Sequence, residues 1–161
     1  MDDNMQLIPS KFFTTSGAAL SEVSDLNAFD LALKEAGVEE QNLVAVSSVI
    51  PDGAVQVEYT KLPMGAITHC VLAQMRGKGG DTVSAGIAHT FRKDGHGGYV
   101  AEGHIYGNAE ALKKELGRKI KEMERIRGIE LEEPTIIVRE VKVPEGQYGC
   151  ALASLVFCDY Q

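Results

Sequence analysis

The chain has 161 residues, 44% of them hydrophobic and 24% charged, enough for one compact domain with a sizeable core. Its formal net charge of −7 argues against nucleic acid as the main partner, because phosphate binding calls for a basic surface. The odd, widely spaced cysteines Cys70, Cys150 and Cys158 imply neither a disulfide framework nor structural zinc, and no apolar run is long enough to cross a membrane.

The opening MDDNMQLIP lacks a basic stretch followed by an apolar one, so it does not read as a signal peptide, and a reducing cytoplasm is the expected location. The next residues read as an arm around one short strand, Phe12–Thr15, with a Ser/Thr/Gly-rich patch at Thr14–Gly17. A helix over Asp25–Ala36 follows, capped by Ser24 or Asp25 and ended by Gly37, with Leu26, Phe29, Leu33 and Ala36 as its buried stripe. Strands are expected at Leu43–Val49, Val55–Tyr59, Ala66–Met75, Thr82–Phe91 and Tyr99–Tyr106. A second helix runs from Asn108 to Arg127 before Gly128, burying Leu112, Leu116, Ile120 and Met123. Glu110–Lys114 and Glu115–Lys119 are its supporting pairs. Strands Thr135–Val143 and Cys150–Phe157 complete the chain. Two helices over many strands predict an α+β fold with mainly antiparallel sheet. Two sheets face to face, each covered by a helix, would make a four-layer sandwich.

Several familiar chemistries find no support. Gly77-Lys78-Gly79-Gly80 lacks phosphate-loop spacing, precedes a strand and reads as a hairpin turn. His69, His89, His96 and His104 share no metal-ligand spacing, so no metal is expected. No Gly-x-Ser-x-Gly elbow is present. Three features offer more. Ser47-Ser48 ends a short apolar strand, where the Ser48 hydroxyl could attack the Ser47 carbonyl carbon if the backbone is held in an attack geometry. Asn42 is near enough in sequence to orient that carbonyl. Asp30 lies at the edge of the first helix's apolar stripe, where it either reaches solvent or holds a cation, a planar guanidinium best of all. Glu102 shares a strand face with Val100, His104 and Tyr106, and is either solvated or a proton donor beside an apolar neighbour.

Together these elements resemble one family. Leu26-Asn27-Ala28-Phe29-Asp30, Asn42-Leu43, Ser47-Ser48 with Pro51, Lys61-Leu62-Pro63-Met64-Gly65, Glu102 and Gly149-Cys150-Ala151 are similar, in order and spacing, to the pyruvoyl-dependent arginine decarboxylases. The resemblance implies one αββα domain over 1–161, cut between Ser47 and Ser48 into chains 1–47 and 48–161, with Ser48 becoming a covalent pyruvoyl cofactor. It implies L-arginine as substrate and agmatine and carbon dioxide as products. It makes Glu102 the proton donor, Asp30 the guanidinium holder and Leu33 a pocket wall. Asn42 would assist cleavage, and the Ser47 carboxylate and Val49 would flank the cofactor. It also implies a trimer, or a dimer of trimers, with sites between subunits. The acidic run Glu39-Glu40 before Gln41 departs from what such a pocket leads one to expect. Two alternatives stand beside this reading: a pyruvoyl decarboxylase for another amino acid, which a carboxylate at Asp30 disfavours for aspartate, and an uncleaved homologue that binds arginine or agmatine.

Overall fold

The computed structural model describes residues 6–161, so most of the MDDNMQLIP opening lies outside the described residues. The elements run β1 (Pro9–Ser21), α1 (Asp25–Ala36), β2 (Asn42–Ala45), β3 (Val49–Ile50), β4 (Val55–Gln56), β5 (Ile67–Lys78), β6 (Thr82–Phe91), β7 (Gly98–Tyr106), α2 (Ala109–Arg127), β8 (Thr135–Lys142) and β9 (Tyr148–Tyr160). One sheet has the order β2-β5-β9-β1-β4 and the other β3-β7-β6-β8. All pairings are antiparallel except β1 with β4 and β2 with β5.

Three apolar layers show how the elements stack. Phe12, Val71, Ile87, Val100 and Leu155 belong to the layer between the two sheets. Ala28, Ala32 and Ala36 of α1 pack with Phe13, Leu152 and Val156 on the outer face of the first sheet. Leu112, Leu116 and Ile120 of α2 pack with Tyr99 and Ala101 on the outer face of the second. The order is therefore helix, sheet, sheet, helix, an α+β sandwich as expected.

The helix ends follow local chemistry. Ser24 Oγ accepts from Asn27 N–H at 3.1 Å and Asn108 Oδ1 from Ala111 N–H at 2.9 Å, while Gly37 and Gly128 take left-handed φ values of 80° and 61°. Glu115 pairs with Lys119 at 3.3 Å, but Glu110 pairs with Lys113, three residues on, rather than with Lys114.

Five expectations need correction. The first strand is much longer than Phe12–Thr15, because β9 pairs with it along nearly its whole length and holds Ser, Thr, Gly and Ala in extended form. The buried stripe of α1 is Ala28, Ala32 and Ala36, whereas Leu26 is 62% exposed. Gly17 of β1 lies directly beneath the helix, and so close an approach admits only small side chains. The expected strand Leu43–Val49 is two strands in different sheets, and Val55–Tyr59 shortens to Val55–Gln56. The turn after Gly77 is no hairpin, because it carries the chain from β5 in one sheet to β6 in the other.

Beyond the short β4, the edge of β1 is covered by side chains. Ala18 N–H donates to Glu35 of α1 at 3.1 Å, and Glu35 pairs with Arg139 of β8 at 2.8 Å. The hydrogen bond from Arg139 is the main cause holding the Glu35 carboxyl below the usual carboxylate range. An edge blunted this way is a poor template for stray strand pairing.

Candidate functional site

The Ser47-Ser48 pair lies where the chain crosses from one sheet to the other. Before it, β2 runs parallel to β5, and Val46 N–H donates to the Cys70 carbonyl at 2.9 Å. After it, β3 pairs with β7, Val49 opposite Tyr99 and Ile50 opposite Gly98. The Ser48 carbonyl accepts from Val100 N–H at 2.9 Å. The peptide between Ser47 and Ser48 is thus held from both sides by hydrogen bonds to different sheets. Ser47 is exposed and Ser48 half-buried, so hydroxyl and carbonyl are reachable from solvent.

Both serines line a cleft of about 510 Å³. Val100, Ala101 and Glu102 of β7 form its floor, and Lys119, Glu122, Met123 and Ile126 of α2 form the opposite wall. Glu102 follows two residues after Val100, the residue that holds the Ser48 carbonyl, so strand alternation puts its side chain on Val100's face. Ser47, Ser48 and Glu102 thus line one cleft.

Other candidates lie elsewhere. Asp30 is exposed on α1, and Leu33 packs half-buried into the layer between α1 and the first sheet; neither lines the cleft. Asn42 starts β2, exposed, with Nδ2 donating to the Gly65 carbonyl at 2.9 Å. The Lys61–Gly65 segment folds back on this region: Gln41 Nε2 donates to the Leu62 and Pro63 carbonyls at 3.1 and 3.2 Å, and Gly65 N–H to the Glu40 carbonyl at 2.7 Å. Two of the resembling motifs are thereby in direct contact. Val49, 54% exposed, does not line the serine cleft but a smaller cavity of about 210 Å³ shared with Val46, His69 and Tyr160. There His69 Nδ1 and Tyr160 Oη are 2.5 Å apart.

The α2 wall was missed from sequence. Ile126, 65% exposed on an otherwise charged surface, was its only hint. Lys119 was read solely as a partner of Glu115, yet its Nζ also donates to the Glu102 carbonyl at 2.8 Å.

Chemically, the arrangement offers a serine hydroxyl on a residue whose own carbonyl is pinned to β7, a carboxyl group two residues from the pinning contact and an ammonium across the cleft. It suits a group made from the chain itself, since Ser48 can carry such a group while its own carbonyl stays tethered to β7. No described helix is long and apolar enough to cross a membrane.

Comparison with known proteins points the same way. The family model described as pyruvoyl-dependent arginine decarboxylase matches residues 11–161. A protein of Methanothermobacter thermautotrophicus with that name is 34% identical over 154 residues, covering 95% of this chain and 99% of the relative. One of Methanopyrus kandleri is 31% identical over 150 residues, 93% and 97% of the two chains. A third, "pyruvoyl-dependent arginine decarboxylase 2" of Archaeoglobus fulgidus, is 35% identical over 161 residues, 95% and 99% of the two chains. With its length matched almost end to end and its paired serines in one cleft with Glu102, the chain belongs to the pyruvoyl-dependent arginine decarboxylase family.

Proposed function

We propose that the chain cleaves itself between Ser47 and Ser48 and then converts L-arginine to agmatine and carbon dioxide, using a pyruvoyl group made from Ser48. The observation that carries this reading is the tethered Ser47-Ser48 crossing, opening onto the same cleft as Glu102. Serinolysis needs a hydroxyl and the preceding carbonyl held still relative to each other, and proximity of this kind removes much of an entropic barrier. The pyruvoyl group supplies an electron-withdrawing carbonyl for the electrons released with carbon dioxide. Glu102 returns a proton to the carbon that has lost its carboxylate. Met123 and Ile126 offer apolar surface to the substrate's methylene chain.

On this reading the domain 1–161 becomes fragments 1–47 and 48–161, and Asn42 assists the cut. The Ser47 carboxylate and Val49 flank the cofactor. Asp30 holds the guanidinium and Leu33 backs it. Because Asp30 and Leu33 lie outside this chain's cleft, they serve the cleft of a neighbouring copy, in a trimer or a dimer of trimers with sites between subunits. Exposed apolar side chains are available for such contacts: Met64 (83%), Tyr106 (70%) and Ile67 (68%). A reducing cytoplasm suits the free Cys70, Cys150 and Cys158. The agmatine would serve polyamine synthesis or acid tolerance.

Mass spectrometry of the denatured protein, together with carbon dioxide release from labelled arginine, tests the proposal. Two fragments divided after Ser47 and release from arginine are expected. One intact, inactive chain would overturn the proposal in favour of an uncleaved binding homologue.

A further inference from the structure

Among the described residues lining the serine cleft, Lys119 is the one cation, against the carboxylates of Glu102 and Glu122. Glu122 is already engaged by Arg125, whose Nε donates to it at 2.9 Å. Lys119 belongs to α2, on the outer face of the second sheet, and reaches the cleft past Gly103. A Cβ at Gly103 would stand 2.8 Å from Leu112 Cδ1 and 3.5 Å from Lys119 Nζ, so glycine keeps this passage open. β3 is only two residues long and pairs with Tyr99 and Gly98, which leaves the Glu102 carbonyl on the edge of β7 without a strand partner. Lys119 Nζ fills that place at 2.8 Å and pairs with Glu115 at 3.3 Å. An ammonium has three donors. One goes to the Glu102 carbonyl, Glu115 stands beside the ammonium as an ion-pair partner, and N–H remains for the cleft.

We propose that this remaining donor receives the Ser47 α-carboxylate as it departs from Ser48 during self-cleavage; the inference rests on the self-cleavage reading above. In the first step Ser48 Oγ attacks the Ser47 carbonyl carbon. The C–N bond breaks, the hydroxyl proton passes to the departing nitrogen, and an ester joins the two residues. In the second step the Ser48 Cα proton passes to water in the open cleft. The Cβ–Oγ bond breaks, and both its electrons leave with the oxygen as the Ser47 carboxylate. Ser48 remains as dehydroalanine, which tautomerises to an imine and takes up water with loss of ammonia. Full negative charge therefore appears on Ser47 only in the second step, in a cleft that already holds two carboxylates. A fixed cation there favours the departing carboxylate over the neutral ester. The same cation on arginine's carboxylate would favour the ground state and oppose loss of carbon dioxide, so Ser47, not the substrate, is its partner.

The test follows processing rather than turnover. Freshly purified Lys119→Met and Lys119→Gln are sampled over time with and without neutral hydroxylamine, which cuts the ester but not the amide, and the fragments are weighed. Both variants should accumulate the hydroxylamine-sensitive ester and form the mature fragments on the order of 10-fold more slowly than wild type. Lys119→Gln can still donate to the Glu102 carbonyl, so its delay would report the lost charge and not lost anchoring of β7. Lys119→Arg keeps the cation and should restore the rate. Lys113→Met removes a lysine that pairs with Glu110 elsewhere on α2 and should process normally. If folded Lys119→Gln matures at the wild-type rate, or stalls as a hydroxylamine-resistant amide, the assignment of Lys119 is overturned. A wild-type chain that never cleaves would instead overturn the self-cleavage reading, whatever the variants do.

Discussion

Replacing Gly17 with alanine tests how closely α1 lies on the first sheet. Gly17 is buried, and a Cβ there would overlap the carbonyl oxygen of Ala32 and stand 3.0 Å from its carbon and 3.1 Å from Ala36 N. These are backbone atoms, so no side-chain rotation relieves the overlap and the helix itself must lift. Lifting loosens Ala28, Ala32 and Ala36, which are 0%, 0% and 2% exposed. Overpacking costs typically ~1–3 kcal/mol, and a clash with backbone belongs at the upper end. At ~2–4 °C per kcal/mol for a chain of this size, about 3 kcal/mol lowers the melting midpoint by ~6–12 °C. Gly117, in the middle of α2, is the reverse case, since a Cβ there meets no heavy atom within 4 Å. Gly117→Ala gains helix propensity of about 0.8–1.0 kcal/mol and should raise the midpoint by ~2–4 °C. Thermal unfolding followed by far-ultraviolet circular dichroism, at one protein concentration, measures both. A Gly17→Ala midpoint within roughly 2 °C of wild type would refute the close approach of α1.

Ser48→Ala should give a folded, full-length chain that releases no carbon dioxide from arginine, because alanine has no hydroxyl to attack Ser47; residual release would show another cofactor source. Glu102→Gln should still self-cleave at least in part but lose ~10²–10⁴-fold in turnover, the usual contribution of a general acid; near-normal turnover of the cleaved protein would remove Glu102 from that role. His89 is 3% exposed, its Nδ1 has no hydrogen-bond partner among the described residues, and burial holds its pKa below the ordinary 6.5. The unfolded chain therefore takes up a proton first as pH falls, so His89's share of stability is present above pH 6.5 and lost below it. Melting midpoints at pH 7.5 and 5.5, for wild type and His89→Phe, should show a fall that the variant reduces.

Legibility from sequence followed the range of the interactions. Helix ends are local, and Ser24, Gly37, Asn108 and Gly128 announced them correctly. The face α1 buries is not local: Leu26 and Phe29 fit the expected stripe, but Gly17, in another element, pulls the helix in until only alanines fit beneath it. Alternation could not show that Leu43–Val49 changes sheets, because residues on either side of the crossing keep an extended pattern. The same crossing carries the serines of the candidate site. Its serines were legible as a pair, and Glu102 through its strand face, but the α2 wall was not. The sequence of α2 shows which face is apolar, not which cleft its rim overhangs.

Asp30 offers the sharpest check on the assembled site. It is exposed on α1, outside the cleft of Ser48 and Glu102, and takes part in no ion pair among the described residues. A carboxylate holding a guanidinium makes two charge-assisted hydrogen bonds, which a lysine or ornithine ammonium does not reproduce and an aspartate side chain opposes. Wild type should therefore use arginine well, lysine and ornithine poorly, and aspartate not at all. Asp30→Asn keeps the size and loses the charge. Hydrogen bonds to a charged group contribute ~1.5–3 kcal/mol, so arginine kcat/KM should fall roughly 10- to 150-fold, mainly through KM, with cleavage at Ser48 undisturbed. On the proposed reading Asp30 serves the cleft of another copy, so Asp30→Asn and Ser48→Ala should complement each other. The first still makes the cofactor, and the second still holds the guanidinium. Co-expressed and co-purified, they should regain activity at roughly a quarter of the sites if subunits mix at random around a symmetric assembly. Mixed oligomers no more active than Asp30→Asn alone would place Asp30 outside the site, and unchanged arginine kinetics in Asp30→Asn would remove the guanidinium role altogether.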